Sequence, residues 1–314
     1  MSLTAPTSRT SSPTQVRLDR FILGCCGLFV VLTVWACLVP RGEQLPVIPQ
    51  MLLALTLVVM VAGHMAKHLG MRVMVAYLVL AAAVEWAFEQ ANISWDGFVW
   101  GDIEYGNDAV LGPHVGSVPI GVPVMMAVIL WPTFVSVNLL LDSRVVSDPR
   151  RLTTAQKLWR CLLYGMVHSW YMFLCNSLAI EEGIYRWVGR TLELPAGDTF
   201  FGDPSAPRGW AIYVIVVMVP FLFLVLPRAG AERLDRIDVR PLVWADASPI
   251  LFLGGMATMI YVNPVDRTTG NVVFWTIGFF SLLTACRFVD LMRAQRTASS
   301  RSDGQLVSAD GRTD

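Results

Sequence analysis

Eight long apolar stretches, separated by flanks in which Lys and Arg are alternately frequent and scarce, constrain this chain more than any other feature. The stretches are 21–40, 47–66, 71–90, 117–141, 158–180, 210–227, 241–262 and 271–291. A hydrocarbon core about 30 Å thick is crossed by about 20 helical residues rising ~1.5 Å each, and every stretch is near that length. With borderline residues given to the nearer flank, the nine flanks hold 3, 1, 2, 0, 5, 3, 4, 1 and 5 Lys and Arg in chain order. The odd-numbered flanks therefore hold 19 of the 24. Lys and Arg concentrate in cytoplasmic loops. The pattern predicts an all-α polytopic membrane helix bundle, with about eight transmembrane helices and both termini cytoplasmic. The expected location is the plasma membrane.

Only 15% of the residues are charged, against about 25% in a soluble domain. Net charge is zero, and no basic cluster interleaved with aromatics marks a nucleic-acid surface. The first apolar stretch is too long for the core of a cleaved signal peptide, so it reads as the first span. Residues 1–16 are rich in Ser, Thr and Pro, and residues 296–314 are polar. Both read as disordered cytoplasmic tails around one transmembrane domain, 17–295, that shows no internal repeat. Cys25, Cys26, Cys37, Cys161, Cys175 and Cys286 lie within spans or at their edges and read as small buried apolar residues.

Ionisable residues inside spans are costly and mark candidate sites. The third span ends Glu85-Trp86-Ala87-Phe88-Glu89. Glu85 and Glu89 share one helix face, with Glu85 deeper by about 6 Å at ~1.5 Å per residue. The fifth span holds His168 and Asn176 and ends at Glu181-Glu182. Asp246 and Asp290 fall toward the opposite membrane face. Between spans three and four, residues 91–116 contain no Lys or Arg but do contain Asp96, Asp102, Glu104 and Asp108 among Trp95, Trp100, Tyr105 and several glycines. A long aromatic loop of this kind is expected to fold back over the bundle.

A carboxylic acid desolvated beside aromatics keeps its proton and can give it to a weak base. Within a membrane the available weak base is an isoprenoid double bond. Protonation leaves a tertiary carbocation, which aromatic faces stabilise. Trp86, Trp95, Trp100, Tyr105, Trp170, Tyr171 and Trp187 are the expected walls, with His168 and Asn176 as further substrate contacts. Water, an internal alkene or proton loss would quench the cation to an alcohol, a ring or an isomer.

Other chemistries fit poorly. Lys67 and Lys157 are the only lysines, and both lie at span edges, away from a mid-membrane Schiff base. His64 and His68 share a helix face, but His114 is predicted on the other side, so no metal site is expected. No phosphate-binding or dinucleotide motif is present, and no cofactor is expected.

The acidic segment carries a resemblance. Glu85-Trp86…Glu89, Phe98-Val99-Trp100-Gly101, Tyr105, Leu111-Gly112-Pro113, Val118-Pro119-Ile120-Gly121-Val122-Pro123 and Trp131-Pro132 follow one another. Asn176-Ser177, Glu181-Glu182-Gly183, Tyr185, Trp187, Phe201-Gly202 and Gly209-Trp210 form a second stretch. Together these resemble the carotenoid biosynthesis membrane-protein family that includes γ-carotene 1′-hydratase and bisanhydrobacterioruberin hydratase. The likeness covers roughly 80–135 and 170–215. It departs at Asn176-Ser177, where the family has Asp-Pro, and at Asp203, where the family stretch is uncharged. It implies cofactor-free addition of water to a terminal double bond of a carotenoid, with other enzymes of that pathway as candidate partners. On position alone, Glu85 is the expected acid, Glu89 its orienting partner, and Asp102 or Glu181 the base that positions water. The alternatives are a membrane terpenoid cyclase using the same acid, and a non-enzymatic transporter or lipid-binding protein.

Overall fold

The computed structural model describes residues 13–39, 45–106, 108–188, 192–193, 199–200, 206–229, 234–235, 241–262 and 271–310. At 173–178, 181, 187, 192–193, 199–200, 299 and 301–310 it describes the backbone alone. Seven helices among these residues are long and apolar enough to cross a membrane: Pro13–Leu38, Val47–Leu69, Met71–Ser94, Gly121–Asp142, Ala206–Arg228, Trp244–Val262 and Asn271–Ala298. The span expected at 158–180 is also helical, within the 28-residue helix Thr154–Glu181. It falls outside the seven because Arg160, His168, Ser169 and Asn176 dilute its apolar run. The chain is a multi-pass, all-α helical bundle, as its apolar periodicity predicts.

We label the helices α1 (Pro13–Leu38), α2 (Val47–Leu69), α3 (Met71–Ser94), α4 (Asp108–Leu111), α5 (Gly121–Asp142), α6 (Thr154–Glu181), α7 (Ala206–Pro220), α8 (Ser248–Val262) and α9 (Phe279–Asp310). Residues 13–16, expected in a tail, open α1, and residues 1–12 lie outside the described set. At the other end α9 runs on to Asp310, through most of the segment read as a second tail.

A span in lipid must satisfy its backbone groups along its own helix, so sequence punctuation decides where helices stop. Gly70 is the whole connection between α2 and α3. It sits at φ 80°, and its N–H bonds the Ala66 carbonyl at 3.0 Å. A side chain is disfavoured at that φ, so glycine permits the abrupt reversal. Beyond α7, a π-turn at Phe221–Val225 and a 3-10 turn at Leu226–Ala229 follow Pro220, where the missing proline N–H groups interrupt the regular ladder.

α5 is the central helix. In its apolar window 72% of residues are buried, against 28% for α3 and for the last helix. α3 packs on α5, α1 along α2, and α6 along α7. The α6–α7 seam is close because Gly165 faces the Ala211 carbonyl, which a β-carbon there would approach to 3.1 Å.

One polar knot ties α5 to α6. Asn138 Oδ1 accepts from Tyr164 Oη at 2.7 Å, from Ser147 Oγ at 3.1 Å and from Arg160 at 3.3 Å. The Arg160 guanidinium also forks onto both oxygens of Asp142, at 2.6 and 2.7 Å. Removing one partner of a buried pair strands the other, at about 3 kcal/mol or more. Arg160→Met should therefore lower the thermal unfolding midpoint of the purified protein measurably, whereas the same exchange at exposed Arg151 should not.

Candidate functional site

The site begins with the last two turns of α3. Glu85 is 1% exposed and Glu89 5%, both on the inward face of the helix. Among the described residues neither meets a Lys or Arg. Both oxygens of Glu85 and Oε2 of Glu89 lack a hydrogen-bond partner.

Asn92, one turn further on and fully buried, builds the roof over them. Its side-chain oxygen accepts from the backbone N–H of Val99 and Trp100 at 2.9 and 3.0 Å, and its amide donates to the Gly101 carbonyl at 2.8 Å. The chain turns tightly through Asp96 and Gly97, both at positive φ. A β-carbon at Gly97 would lie 2.3 Å from the Asp102 nitrogen, so only glycine closes this turn. The result drives Trp100 back into the bundle, where it is 1% exposed. Its ring stacks on Phe88 at 5.9 Å, and its indole approaches Glu89.

The strand β1 (Ile103–Tyr105) follows, pairing antiparallel with β4 (Tyr185–Trp187). This ribbon joins the loop after α3 to the loop after α6. It holds Tyr105 beside Glu89 and against Tyr185, with ring centroids 6.5 Å apart. Burial first, and then the neighbouring Glu89 carboxyl, push the Tyr105 hydroxyl well above its ordinary pKa, so it remains an O–H donor.

From the far side, α6 and α7 supply His168 and Tyr213. Both are fully buried with ring centroids 6.2 Å apart. Neither ring nitrogen of His168 nor the Tyr213 hydroxyl has a hydrogen-bond partner. Tyr213 packs edge-on against Phe88 at 6.4 Å and lies within electrostatic reach of Glu85.

The structure thus gathers Glu85, Glu89, Trp100, Tyr105 and His168 as the sequence suggested. It places others elsewhere. Asp102 is exposed, and its carbonyl accepts from Val188, so its carboxylate does not enter the site. Trp86 turns outward, 37% exposed, and its indole donates to the Val115 carbonyl at 2.8 Å. It anchors the small β2–β3 hairpin (His114–Val115, Val118–Pro119) instead of walling the cluster. Trp170 is 44% exposed on α6, one residue past buried Ser169. The side chains of Asn176, Glu181 and Trp187 lie outside the described set. Glu182 accepts from the Leu45 N–H at 3.0 Å and from Gln50 at 2.5 Å, tying the start of α2 to the end of α6.

Two contributors escaped the sequence reading. Asn92 carried a signal in the Asp96-Gly97 turn that follows it. Tyr213 carried none, being a single aromatic in an apolar helix, whereas Phe88 stands between the two acids in the sequence.

A second buried cluster lies at the opposite end of α2 and α3. Lys67 lies in the last turn of α2, and its fully buried Nζ stands 2.5 Å from Asp19 and 2.6 Å from Asp246. His68 Nε2 is 2.8 Å from the same Asp246 oxygen and His64 Nε2 is 4.0 Å from it. The Val243 N–H holds the other oxygen at 2.9 Å. His64, His68 and Asp246 bring three ligand atoms within 4.8 Å of one another, but the donor chemistry opposes a metal. The Trp131 indole donates to His64 Nδ1 at 3.0 Å. Indole is donor-only, so neutral His64 carries its proton on Nε2, the nitrogen facing Asp246. A metal-bound histidine needs the reverse arrangement, with an acceptor at its other nitrogen. Lys67 already places a cation on the shared carboxylate.

Compared with family models, curated proteins and solved structures, the chain matches none.

Two outcomes test this description. A strong chelator should leave the unfolding midpoint of the protein unchanged, whereas Lys67→Met should depress it, by about 3 kcal/mol or more of stability, because buried Asp246 and partly exposed Asp19 lose their shared counter-charge. Gly209→Ala should disturb the roof, since a β-carbon there would lie 2.6 Å from the Val99 carbonyl and 2.9 Å from the Trp100 ring. Its readout is a changed near-ultraviolet circular dichroism spectrum with retained helix content.

Proposed function

We propose that this protein is an integral-membrane, cofactor-free hydratase of isoprenoids, acting on a terminal double bond of a carotenoid-like substrate. The observation that carries the reading is the pair of deeply buried acids, Glu85 and Glu89, without a basic partner and under the aromatic roof of Trp100 and Phe88. The likeness of residues 80–135 and 170–215 to the carotenoid biosynthesis membrane-protein family agrees with it. The Lys and Arg alternation supports a plasma-membrane protein with both termini cytoplasmic, which puts the acid pair in the outer half of the bundle.

In this reading Glu85 gives its carboxyl proton to the less substituted alkene carbon. The π pair forms the new C–H bond, and the positive charge falls on the tertiary carbon. The rings of Trp100, Tyr105 and Tyr213, gathered around the acids, stabilise that charge. A water molecule bonds to the cation through oxygen and passes its surplus proton to Glu89, which returns it to Glu85 one turn away. The sum is one water added and no change of oxidation state. General acid–base steps of this kind contribute about 10²–10⁴-fold each.

Cyclisation is the second reading, and one observation favours it. Asp102, an expected water-positioning base, faces solvent. If no other group holds water, an internal alkene captures the cation and mass is conserved.

The test is expression in a bacterium that accumulates lycopene and γ-carotene, followed by mass analysis of the pigments. Hydration adds 18 mass units to a pigment (one water), cyclisation adds none, and unaltered pigments would overturn both readings for these substrates. Glu85→Gln should abolish the new pigment with membrane insertion intact. Full activity in that variant would remove Glu85 from the mechanism.

A further inference from the structure

We infer that the Glu85 cluster is a binding site for a lipophilic organic cation, a quaternary or tertiary ammonium on an isoprenoid-length chain. This deepens the proposed function and rests on the same reading of the site as one that holds positive charge. The argument itself needs no turnover.

It starts from an imbalance. Four buried polar side chains converge: Glu85, Glu89, His168 and Tyr213. Each has at least one atom without a hydrogen-bond partner, and half-buried Tyr105 stands beside Glu89. Buried polar groups are normally satisfied, and each exception calls for an explanation. At the opposite end of the bundle, Asp246 shows how this fold treats a structural acid, with Lys67, His68 and a backbone N–H all pointed at it. The Glu85–Glu89 pair receives no such treatment among the described residues, and the loop over it has no Lys or Arg between residues 91 and 116. The nearest guanidinium on the ribbon, Arg186, is turned outward and pairs with Glu104 at 2.5 Å, both exposed.

Two acids without a cation, roofed by Trp100, backed by Phe88 and flanked by two tyrosines, make an electron-rich box. Aromatic rings attract a cation, and an ionised carboxyl of the pair supplies its counter-charge. A hydrated metal ion suits the box poorly, because Trp100 and Phe88 offer it no oxygen ligand. A compact alkylammonium suits it better, since its methyl groups pack on rings while its charge faces the acids. An apolar tail would then lie among the membrane-exposed side chains of α3 and α7, such as Val79 and Ile212.

The probes are farnesyl-trimethylammonium and its neutral isostere, in which carbon replaces nitrogen to leave a tert-butyl head. Binding of each to the full-length protein in phosphatidylcholine nanodiscs is measured by equilibrium dialysis, with empty discs as the blank. The ammonium should bind at least tenfold more tightly than the isostere. The double variant Glu85→Gln with Glu89→Gln should bring that ratio close to one, while Glu104→Gln leaves it intact. Equal binding of the two probes, or a ratio that survives the double variant, overturns the inference. The two readings fail separately. Hydrated pigment without ammonium selectivity removes this inference alone, and acid-dependent ammonium binding without any new pigment removes the hydratase alone.

Discussion

Desolvation of carboxyl groups governs this molecule. A carboxylate moved into a low-dielectric interior loses several kcal/mol of hydration even after the protein relaxes, and each buried acid must answer that loss. The bundle holds two answers at its two ends. Asp246 is ringed by Lys67, His68 and the Val243 N–H, so its charge is matched where it stands. Glu85 and Glu89 are surrounded by rings and hydroxyls with no Lys or Arg among the described residues. The first arrangement binds α1, α2 and the start of the α8 segment into one body. The second leaves its acids without a counter-charge, beside Trp100 and Tyr105.

The packing around these acids depends on residues with no chemistry of their own. Asn92 spends its whole side chain on shaping the turn that delivers Trp100. Gly97 and Gly209 let backbone and ring approach to distances that a β-carbon would forbid. The β1–β4 ribbon couples the loops after α3 and α6, so Tyr105 and the α6 residues are held on one frame. Sites held within a fraction of an ångström need this kind of support.

Much of the architecture was legible because lipid is a severe judge of sequence. Apolar runs near 20 residues and Lys/Arg alternation leave few alternatives, and Glu85 and Glu89 stood out because acids are rare in such runs. The α6 span was legible by length although its polar residues weaken its apolar signal. What remained illegible was direction. Trp86 and Trp100 look equivalent as letters, yet one anchors an outer hairpin and the other roofs the acids, because the turn built on Asn92 decides which ring comes inward. Asp102 read as a site acid by proximity in sequence, but alternation along β1 sends it outward. Lys67 and Asp246 lay 179 positions apart in the chain, and no local pattern announced their pairing.

The indole of Trp131 has a consequence for the bundle as an electrical object. Titratable groups at both ends of a membrane protein are a hazard, since a row of hydroxyls, imidazoles and carboxyls can pass protons from one compartment to the other. His64, Trp131 and Tyr77 stand in line between the two clusters. Yet the indole N–H can only give a hydrogen bond, and it gives it to His64, while the Tyr77 hydroxyl is engaged by the Ala127 carbonyl. A chain of hops needs every member both to receive and to release, and Trp131 cannot receive. Trp131 thereby breaks this line as a proton path between His64 and Tyr77.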